Sequence, residues 1–175
     1  PLPNGGARPL GNIGNVLAYE SGGIFKQQQL IVNASQRLST GFTLMAVYTL
    51  NQARSDTDGA LSFPANTYDL RGEFGRSALD VRHQFFLGGA LNAPWGISFN
   101  PLVVLRSGAP FNITIGRDAN GDTLFTERPA FADDLVKPGV IHTRFGAFDP
   151  NPSIGQRLIP RNFAEGPGFF SVNLA

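Results

Sequence analysis

The strongest constraint on the fold of this sequence is a repeated alternation of apolar and polar residues. Over residues 42–51, every second side chain falls on one face: Phe42, Leu44, Ala46, Tyr48 and Leu50. A period of two residues is typical of a β-strand with one apolar face. The alternating runs extend over about ten residues, which matches the length that a tilted membrane strand needs and exceeds that of an average soluble strand.

The connections between these runs are alternately short and long. The turns 38–41 and 93–96 are short, whereas residues 52–80 and 116–168 are polar, rich in Gly, Pro, Asn and Asp, and have little period. Transmembrane barrels combine short periplasmic turns with long extracellular loops in this way. The sequence therefore predicts an all-β, antiparallel fragment of a transmembrane β-barrel, with about five long strands. We expect these strands near residues 26–37, 42–51, 81–92, 97–115 and 169–175.

The composition narrows the possible partners. Charged residues make up 15% of the chain and the formal net charge is +1, so we expect no nucleic-acid partner. Cysteine is absent, which excludes a disulfide scaffold and a thiolate nucleophile. No apolar run is long enough for a membrane helix. The chain begins at Pro1 and ends within a strand pattern, so we expect a piece of a longer protein that lacks its signal peptide.

Several short motifs occur in an order that resembles one family of membrane proteins. Asp80-Val-Arg-His83 begins an aromatic strand, Ala93-Pro-Trp-Gly96 forms a turn, and Ser107-Gly-Ala-Pro-Phe111 ends the next strand. The turn Arg37–Gly41, the acidic segment from Asp118 to Pro129, and the stretch from Ile159 to Phe170 also fit. Together they resemble the barrels of Oar-like TonB-dependent transporters. Ala93 departs from the Leu usual in that turn.

The resemblance implies a bacterial outer-membrane barrel of about 22 strands closed around an N-terminal plug. Such a protein imports a bulky substrate, here unknown, with energy passed on by TonB. The partners implied are outer-membrane lipid, together with the plug and TonB acting through segments outside this chain. No cofactor is implied.

The long connections contain the candidate binding residues. Loops on a rigid scaffold often recognise ligands, so we expect charged residues of the first connection to face substrate. These candidates are Arg54, Asp56, Arg71, Glu73 and Arg76. In the second connection, Asp118, Asn120 and Asp122 have the spacing of calcium ligands. Thr123 and Pro129 stand where an EF-hand needs Gly and Glu, so the alternatives are a looser calcium site and a solvated Asx-rich turn.

Aromatic residues near the strand ends predict an interfacial girdle, made of Phe42, Tyr48, Trp95 and Phe99. The alternative is a platform that stacks a ligand. Asp80 and His83 could suggest acid–base chemistry, but no Ser or Cys lies in a nucleophile context. We therefore predict no catalytic residue and no enzyme activity.

Two other functions remain open from the sequence. A passive porin or structural outer-membrane barrel shares every barrel feature, and a soluble β-sandwich for adhesion or binding also has alternating strands. Five strands leave two open edges, so we expect the isolated chain to be unstable or to aggregate in buffer.

Overall fold

A computed structural model describes residues 16–39, 41–67, 69–153 and 155–175. These residues form twelve β-strands and one short 3₁₀ helix, Pro94–Gly96. In chain order the strands are β1 (Phe25–Ser39), β2 (Phe42–Ser55), β3 (Gly75–Arg76), β4 (His83–Asn92), β5 (Ser98–Phe99), β6 (Pro101–Arg106), β7 (Pro110–Phe111), β8 (Ala130–Phe131), β9 (Ile141–Thr143), β10 (Gly146–Asp149), β11 (Ala164–Glu165) and β12 (Phe169–Leu174). No α-helix occurs in this described part, and the all-β antiparallel prediction is confirmed.

The chain divides into two compact units. The sheet unit comprises residues 26–53, 78–110 and 165–175, and the loop unit comprises residues 1–25, 54–77 and 111–164. The sheet unit therefore holds the alternating runs, while the loop unit holds most of both long connections.

The sheet unit is an antiparallel meander in the order β1, β2, β4, β6 and β12, with β5 beside β4. Neighbouring sheet strands pair across a short turn (β1 with β2, and β4 with β5) or across a long connection (β2 with β4, and β6 with β12). Both short turns lie at one end of the sheet, and both long connections leave from the other end. In the described residues, β1 and β12 are edge strands of this sheet.

The register gives the sheet one apolar and one mixed face. On the apolar face the pairs are Ala46↔Leu87, Tyr48↔Phe85, Phe85↔Leu105, Leu87↔Val103 and Val172↔Val103. The opposite face carries Thr49↔Gln84, Gln84↔Arg106 and Asn173↔Leu102, among others. Gln27 donates to Asn51 Oδ1 at 2.9 Å, which places Gln27 and, by the two-residue alternation, Asn33, Ser35 and Arg37 of β1 on the mixed face. This is the alternation of a barrel wall with lipid on one side and a polar lumen on the other.

The fourth predicted strand differs from the structure. Pro101 leads us to expect a bulge or a weakened strand. The register on β4 is the same for β5 (Leu91↔Phe99) and β6 (Gly88↔Leu102), so there is no bulge, and the weakened strand is seen as a break at Asn100.

The expected run of strand to residue 115 is wrong. The sheet strand β6 ends at Arg106, and β7 (Pro110–Phe111) pairs with β11 instead of extending along β4. Gly108 and Pro110 redirect the chain there, because the Gly108 Cα lies against the Gly166 backbone and Pro110 lacks an amide donor.

The long connections, which we expected to lack structure, are folded. In the loop unit β10 pairs with both β8 and β9, and β3 pairs with the end of β2. Phe131, Phe148 and Phe163 pack with ring centroids 5.2–6.1 Å apart, and the Phe148 side chain is fully buried. An aromatic cluster of this kind supplies the apolar area that holds short strands together.

Candidate functional site

The motif at the start of β4 has a structural role in the sheet unit. Asp80 is 1% exposed, and its Oδ1 accepts the backbone N–H of Ala53 at 2.8 Å. Its Oδ2 lies 3.5 Å from Arg82 Nη2. At Ala53, β2 continues beyond its pairing with β4. A buried N–H requires a hydrogen-bond acceptor, and the Asp80 carboxylate supplies it.

His83 is held by the neighbouring strands. Its Nδ1 lies 2.8 Å from Tyr48 Oη, and the two rings stack with centroids 6.2 Å apart. The His83 N–H donates to Ser107 Oγ at 3.0 Å, and the Ser107 N–H donates to the His83 carbonyl at 2.9 Å. The polar groups of the two strand-end motifs thus bind each other, and this arrangement gives no sign of a nucleophile with its base.

A buried ion pair joins the two long connections within the loop unit. Arg128 Nη2 and Nη1 donate to Glu73 Oε1 and Oε2 at 2.7 and 3.1 Å, and the two side chains are 4% and 5% exposed. Glu73 Oε1 also accepts the Ala65 N–H at 3.2 Å. A bidentate Arg–carboxylate pair fixes both position and orientation. We expected Glu73 to face substrate. It lies inside the loop unit instead, where Arg128 pairs with its charge.

A second buried arginine binds the same first connection. Arg161 Nη2 donates to Asp58 Oδ2 at 2.6 Å and to Ser62 Oγ at 2.9 Å. Asn162 Nδ2 donates to the same Asp58 oxygen at 3.0 Å and to the Arg76 carbonyl at 2.8 Å. These side chains connect residues about a hundred positions apart, so they hold the loop unit in one arrangement.

The acidic segment folds around the Asp118 carboxylate. Its Oδ1 accepts the Gly121 N–H at 2.6 Å and its Oδ2 accepts the Thr123 N–H at 2.8 Å. The pKa of Asp118 is lowered from its usual value. Partial burial acts to raise it, but the backbone N–H groups of Thr123, Gly121, Asp122 and Asn120 stabilise the carboxylate more strongly. Asp118 is therefore ionised at neutral pH.

The other two predicted ligands connect this segment to the first connection. Asp122 Oδ2 accepts the hydroxyl of Thr67 at 2.7 Å, and its Oδ1 accepts the Leu124 N–H at 2.9 Å. Asn120 Nδ2 donates to the Ala65 carbonyl at 3.3 Å, so its Oδ1 is turned to accept the Asp122 N–H at 2.9 Å.

Glu127 belongs to this acidic group, although the spacing rule for calcium loops did not identify it. One carboxylate oxygen each of Asp118, Asp122 and Glu127 lies within 4.8 Å of the others. Glu127 is 7% exposed, and its Oε1 accepts the N–H groups of Ala119 and Asn120 at 2.6 and 3.2 Å. Its Oε2 is buried and has no hydrogen-bond partner in the described part of the chain. The signal in the sequence is a carboxylate ten positions into the loop, two before the position that an EF-hand uses.

The remaining substrate-facing candidates lie at or near the surface of the loop unit. Arg54 and Arg71 are exposed, and Arg71 binds Asp69 at 2.7 Å. Asp56 and Arg76 are half-buried, and Asp56 Oδ1 accepts the Ile24 N–H at 2.7 Å. Exposed apolar side chains accompany them in the same unit, among them Leu61, Phe125 and Val136.

Three of the four girdle candidates lie near the short turns, and Tyr48 lies in the middle of β2. Phe42 begins β2, Trp95 lies in the 93–96 turn with 92% of its surface exposed, and Phe99 ends β5. Trp95 has φ 69°, and this left-handed conformation lets a four-residue turn close. Tyr48 lies six residues along β2 from Phe42, which corresponds to about 20 Å of strand.

Within the described residues, no helix is long and apolar enough to cross a membrane. A family model described as an outer membrane beta barrel domain matches residues 2–175. The chain belongs to this outer membrane β-barrel family. No curated protein and no solved structure matches the sequence.

Membership of the outer membrane β-barrel family agrees with the two-faced sheet. It places the chain in the bacterial outer membrane, with the apolar face of the sheet toward lipid. The predicted fold class and localisation are therefore confirmed, and the soluble β-sandwich alternative loses its support.

Proposed function

We propose that this chain is part of the barrel of a TonB-dependent outer-membrane transporter of the Oar-like type, which takes up a bulky substrate. The observation that carries the proposal is the folded state of both long connections, with two buried arginines of the loop unit, Arg128 and Arg161, each bound to a carboxylate. A receptor needs a rigid recognition surface outside the membrane, and such pairs, above all the bidentate Arg128–Glu73 pair, provide that rigidity. A passive pore has no comparable need for it.

The contacts of the resembling motifs support the same proposal. Asp80 caps the Ala53 amide, Ser107 binds His83, and Gly108 admits the backbone of Gly166. These two motifs, Asp80–His83 and Ser107–Phe111, therefore lie where a strand of the sheet meets a long connection. They fix the backbone at the ends of the long connections, and a receptor that binds its substrate with loops requires such fixed ends.

The recognition surface that we propose combines charge with apolar side chains. Arg54, Arg71 and Arg76 supply positive charge, and Asp56 supplies the opposite sign. Leu61, Phe125 and Val136 are exposed in the same unit. A surface of this mixed kind suits a large substrate with both polar and apolar parts.

We further propose that the chain performs no covalent chemistry on that substrate. Asp80 and His83, the residues that could suggest it, are engaged with Ala53, Tyr48 and Ser107. Energy would come from TonB, acting on a plug in segments outside this chain.

Conductance of the full-length protein in a planar bilayer tests the proposal against a passive barrel. A transporter closed by a plug should show no steady current, and current should appear once moderate urea unfolds the plug. Cross-linking of the same preparation to the periplasmic domain of TonB should yield a one-to-one product. A stable open channel without urea, and no cross-linked product, would contradict transport and favour the porin-like alternative.

A further inference from the structure

We propose that the carboxylates of Asp118, Asp122 and Glu127 form a calcium-binding site in the loop unit. This site is independent of the transport mechanism, since it is argued from contacts inside the loop unit alone. It would stabilise whatever surface that unit presents.

The spacing of the oxygens fits one shared cation. Calcium binds oxygen at about 2.3–2.6 Å, so two oxygens on opposite sides of one ion are about 4.8 Å apart. The carboxylate oxygens of Asp118, Asp122 and Glu127 lie within 4.8 Å of one another. A single ion among them would therefore reach all three without a large movement of the backbone.

The charges of this group are not balanced by the protein. Three carboxylates converge, and no Lys or Arg nitrogen of the described residues lies within 4.0 Å of them. The neighbouring Arg128 is paired with Glu73 instead. Like charges this close repel each other, and a divalent cation removes the repulsion.

The independent observation is the unpartnered oxygen of Glu127. The residue is more than nine-tenths buried and its Oε2 receives no hydrogen bond, whereas Oε1 accepts two. Buried carboxylate oxygens are paired with donors or coordinate a metal. The carboxylate of Glu127 also approaches those of Asp118 and Asp122, so the unpartnered group belongs to the cluster.

The donor set selects the metal class. Only oxygen atoms are offered, and the cluster has neither the imidazole nor the thiolate that zinc prefers. The oxygens come from one irregular loop and already accept backbone N–H groups at several angles. Calcium tolerates such variable geometry, while magnesium demands a near-ideal octahedron.

An ion here would join the two long connections. Asp122 binds Thr67, Asn120 binds the Ala65 carbonyl, and Thr126 donates to the Pro64 carbonyl at 2.6 Å. Fixing the acidic segment 118–127 would thus fix residues 64–67 as well. Calcium is expected to protect both segments from local opening.

Direct binding is the primary test. The full-length protein, purified in detergent and stripped with chelator, is titrated with calcium in an equilibrium binding experiment. We expect a dissociation constant on the order of 10⁻⁴ M, typical of extracellular sites. Hydrogen exchange should slow in peptides covering residues 64–67 and 118–127 when calcium is added, and magnesium at the same concentration should have little effect.

Three variants make the test specific. Glu127→Gln keeps the shape and removes the charge, Asp122→Asn does the same at a second ligand, and Asp69→Asn is the matched control in the same unit. The first two should lose one bound calcium and the calcium-dependent protection, while the control keeps both. In chelator, Glu127→Gln should be at least as stable as the wild type, because it relieves the repulsion.

Other results would overturn the site. Equal calcium binding by wild type and both ligand variants would place any bound ion elsewhere. A Glu127→Gln variant that is destabilised equally with and without calcium would make Glu127 a purely structural acceptor. If that variant fails to fold, Asp122→Asn decides on the same criteria. Magnesium protecting as well as calcium would overturn the choice of metal.

Discussion

The two units of this chain differ in whether large apolar side chains are buried within them. In the loop unit, Phe148 and Ile159 are inside together with ionised groups such as Glu73 and Arg128. In the sheet unit, large apolar side chains of the apolar face are exposed instead, among them Leu30, Val32, Leu105, Phe170, Val172 and Leu174. The difference reflects the solvent: the loop unit must exclude water from a core, whereas lipid accepts the apolar face of a barrel strand directly.

This contrast changes how charge is expected to behave in each unit. In the loop unit a buried charge is stable only with its partner, so losing one member is costly. On the lipid face of the sheet there is no partner at all, and the cost depends on depth in the membrane. Substitutions chosen in matched pairs can separate these two rules.

The largest effect is expected from breaking the Glu73–Arg128 pair. Arg128→Met leaves Glu73 buried without its partner and should destabilise the loop unit by about 3–5 kcal/mol. The double variant Glu73→Leu/Arg128→Met should recover most of this loss, because no uncompensated charge remains. Hydrogen exchange of peptides from the loop unit in the detergent-solubilised protein gives the local stabilities.

Arg71→Met is the control for that experiment, since Arg71 is 90% exposed and should be close to neutral. A single Arg128→Met variant as stable as this control would contradict a buried pair. It would also weaken the contrast between the two units.

The next effect concerns the two faces of the sheet. Ala46→Arg puts a charge at mid-strand on the apolar face and should cost about 2–4 kcal/mol in the intact barrel. Met45→Arg, one residue earlier, points to the mixed face and should cost much less. Urea unfolding of the full-length protein in phospholipid vesicles measures both. Equal costs would mean that the faces are assigned wrongly.

A smaller effect is expected where β6 ends. A Cβ at Gly108 would lie 1.9 Å from the Gly166 carbonyl oxygen, which is backbone and cannot rotate away. Gly108→Ala should therefore displace residues 165–166 and cost about 1–3 kcal/mol. Gly22→Ala is the control, because a Cβ there meets nothing within 4 Å. Matching melting temperatures for the two variants would show that the contact at Gly108 yields easily.

The sheet could be predicted from the sequence because its signals are local. Only a short turn separates β1 from β2, and another separates β4 from β5. The two-residue period fixes which side chains share a face. Of the two effects expected from Pro101, the bulge is absent and the weakened strand is seen, because the proline lacks an amide donor and no residue is inserted. The predicted continuation beyond Arg106 failed because Phe111 pairs far along the chain.

The loop unit could not be predicted because its contacts are distant and have no period. Arg128 meets Glu73 across 55 residues and Arg161 meets Asp58 across 103. Nothing in either segment marks its partner, so Glu73 resembled an exposed loop residue. The acidic segment was found in part, since Asp118, Asn120 and Asp122 are close in sequence, while Glu127 lay outside the spacing rule.

The smallest effect is expected from the Asp69–Arg71 ion pair. It lies close to Glu73 in the sequence, but it is exposed, whereas the Glu73–Arg128 pair is buried. The side chains of Asp69 and Arg71 are 38% and 90% exposed. The Arg71 side chain, and then its backbone N–H, lower the pKa of Asp69 from 3.8 to about 2. The lowered pKa means that any stabilisation is complete above pH 3.8 and is lost as the pH falls toward 2.

Asp69→Asn should accordingly leave the melting temperature of the protein unchanged within error at neutral pH, because solvent screens an exposed pair. Melting curves of wild type and variant between pH 2 and pH 7 test this, and any small difference should vanish at the acidic end. A large loss at neutral pH would show that position in the folded loop unit, and not burial, decides the strength of its ion pairs. Arg128→Met and Arg71→Met would then have to destabilise the loop unit equally, which the hydrogen-exchange experiment on these two variants measures directly.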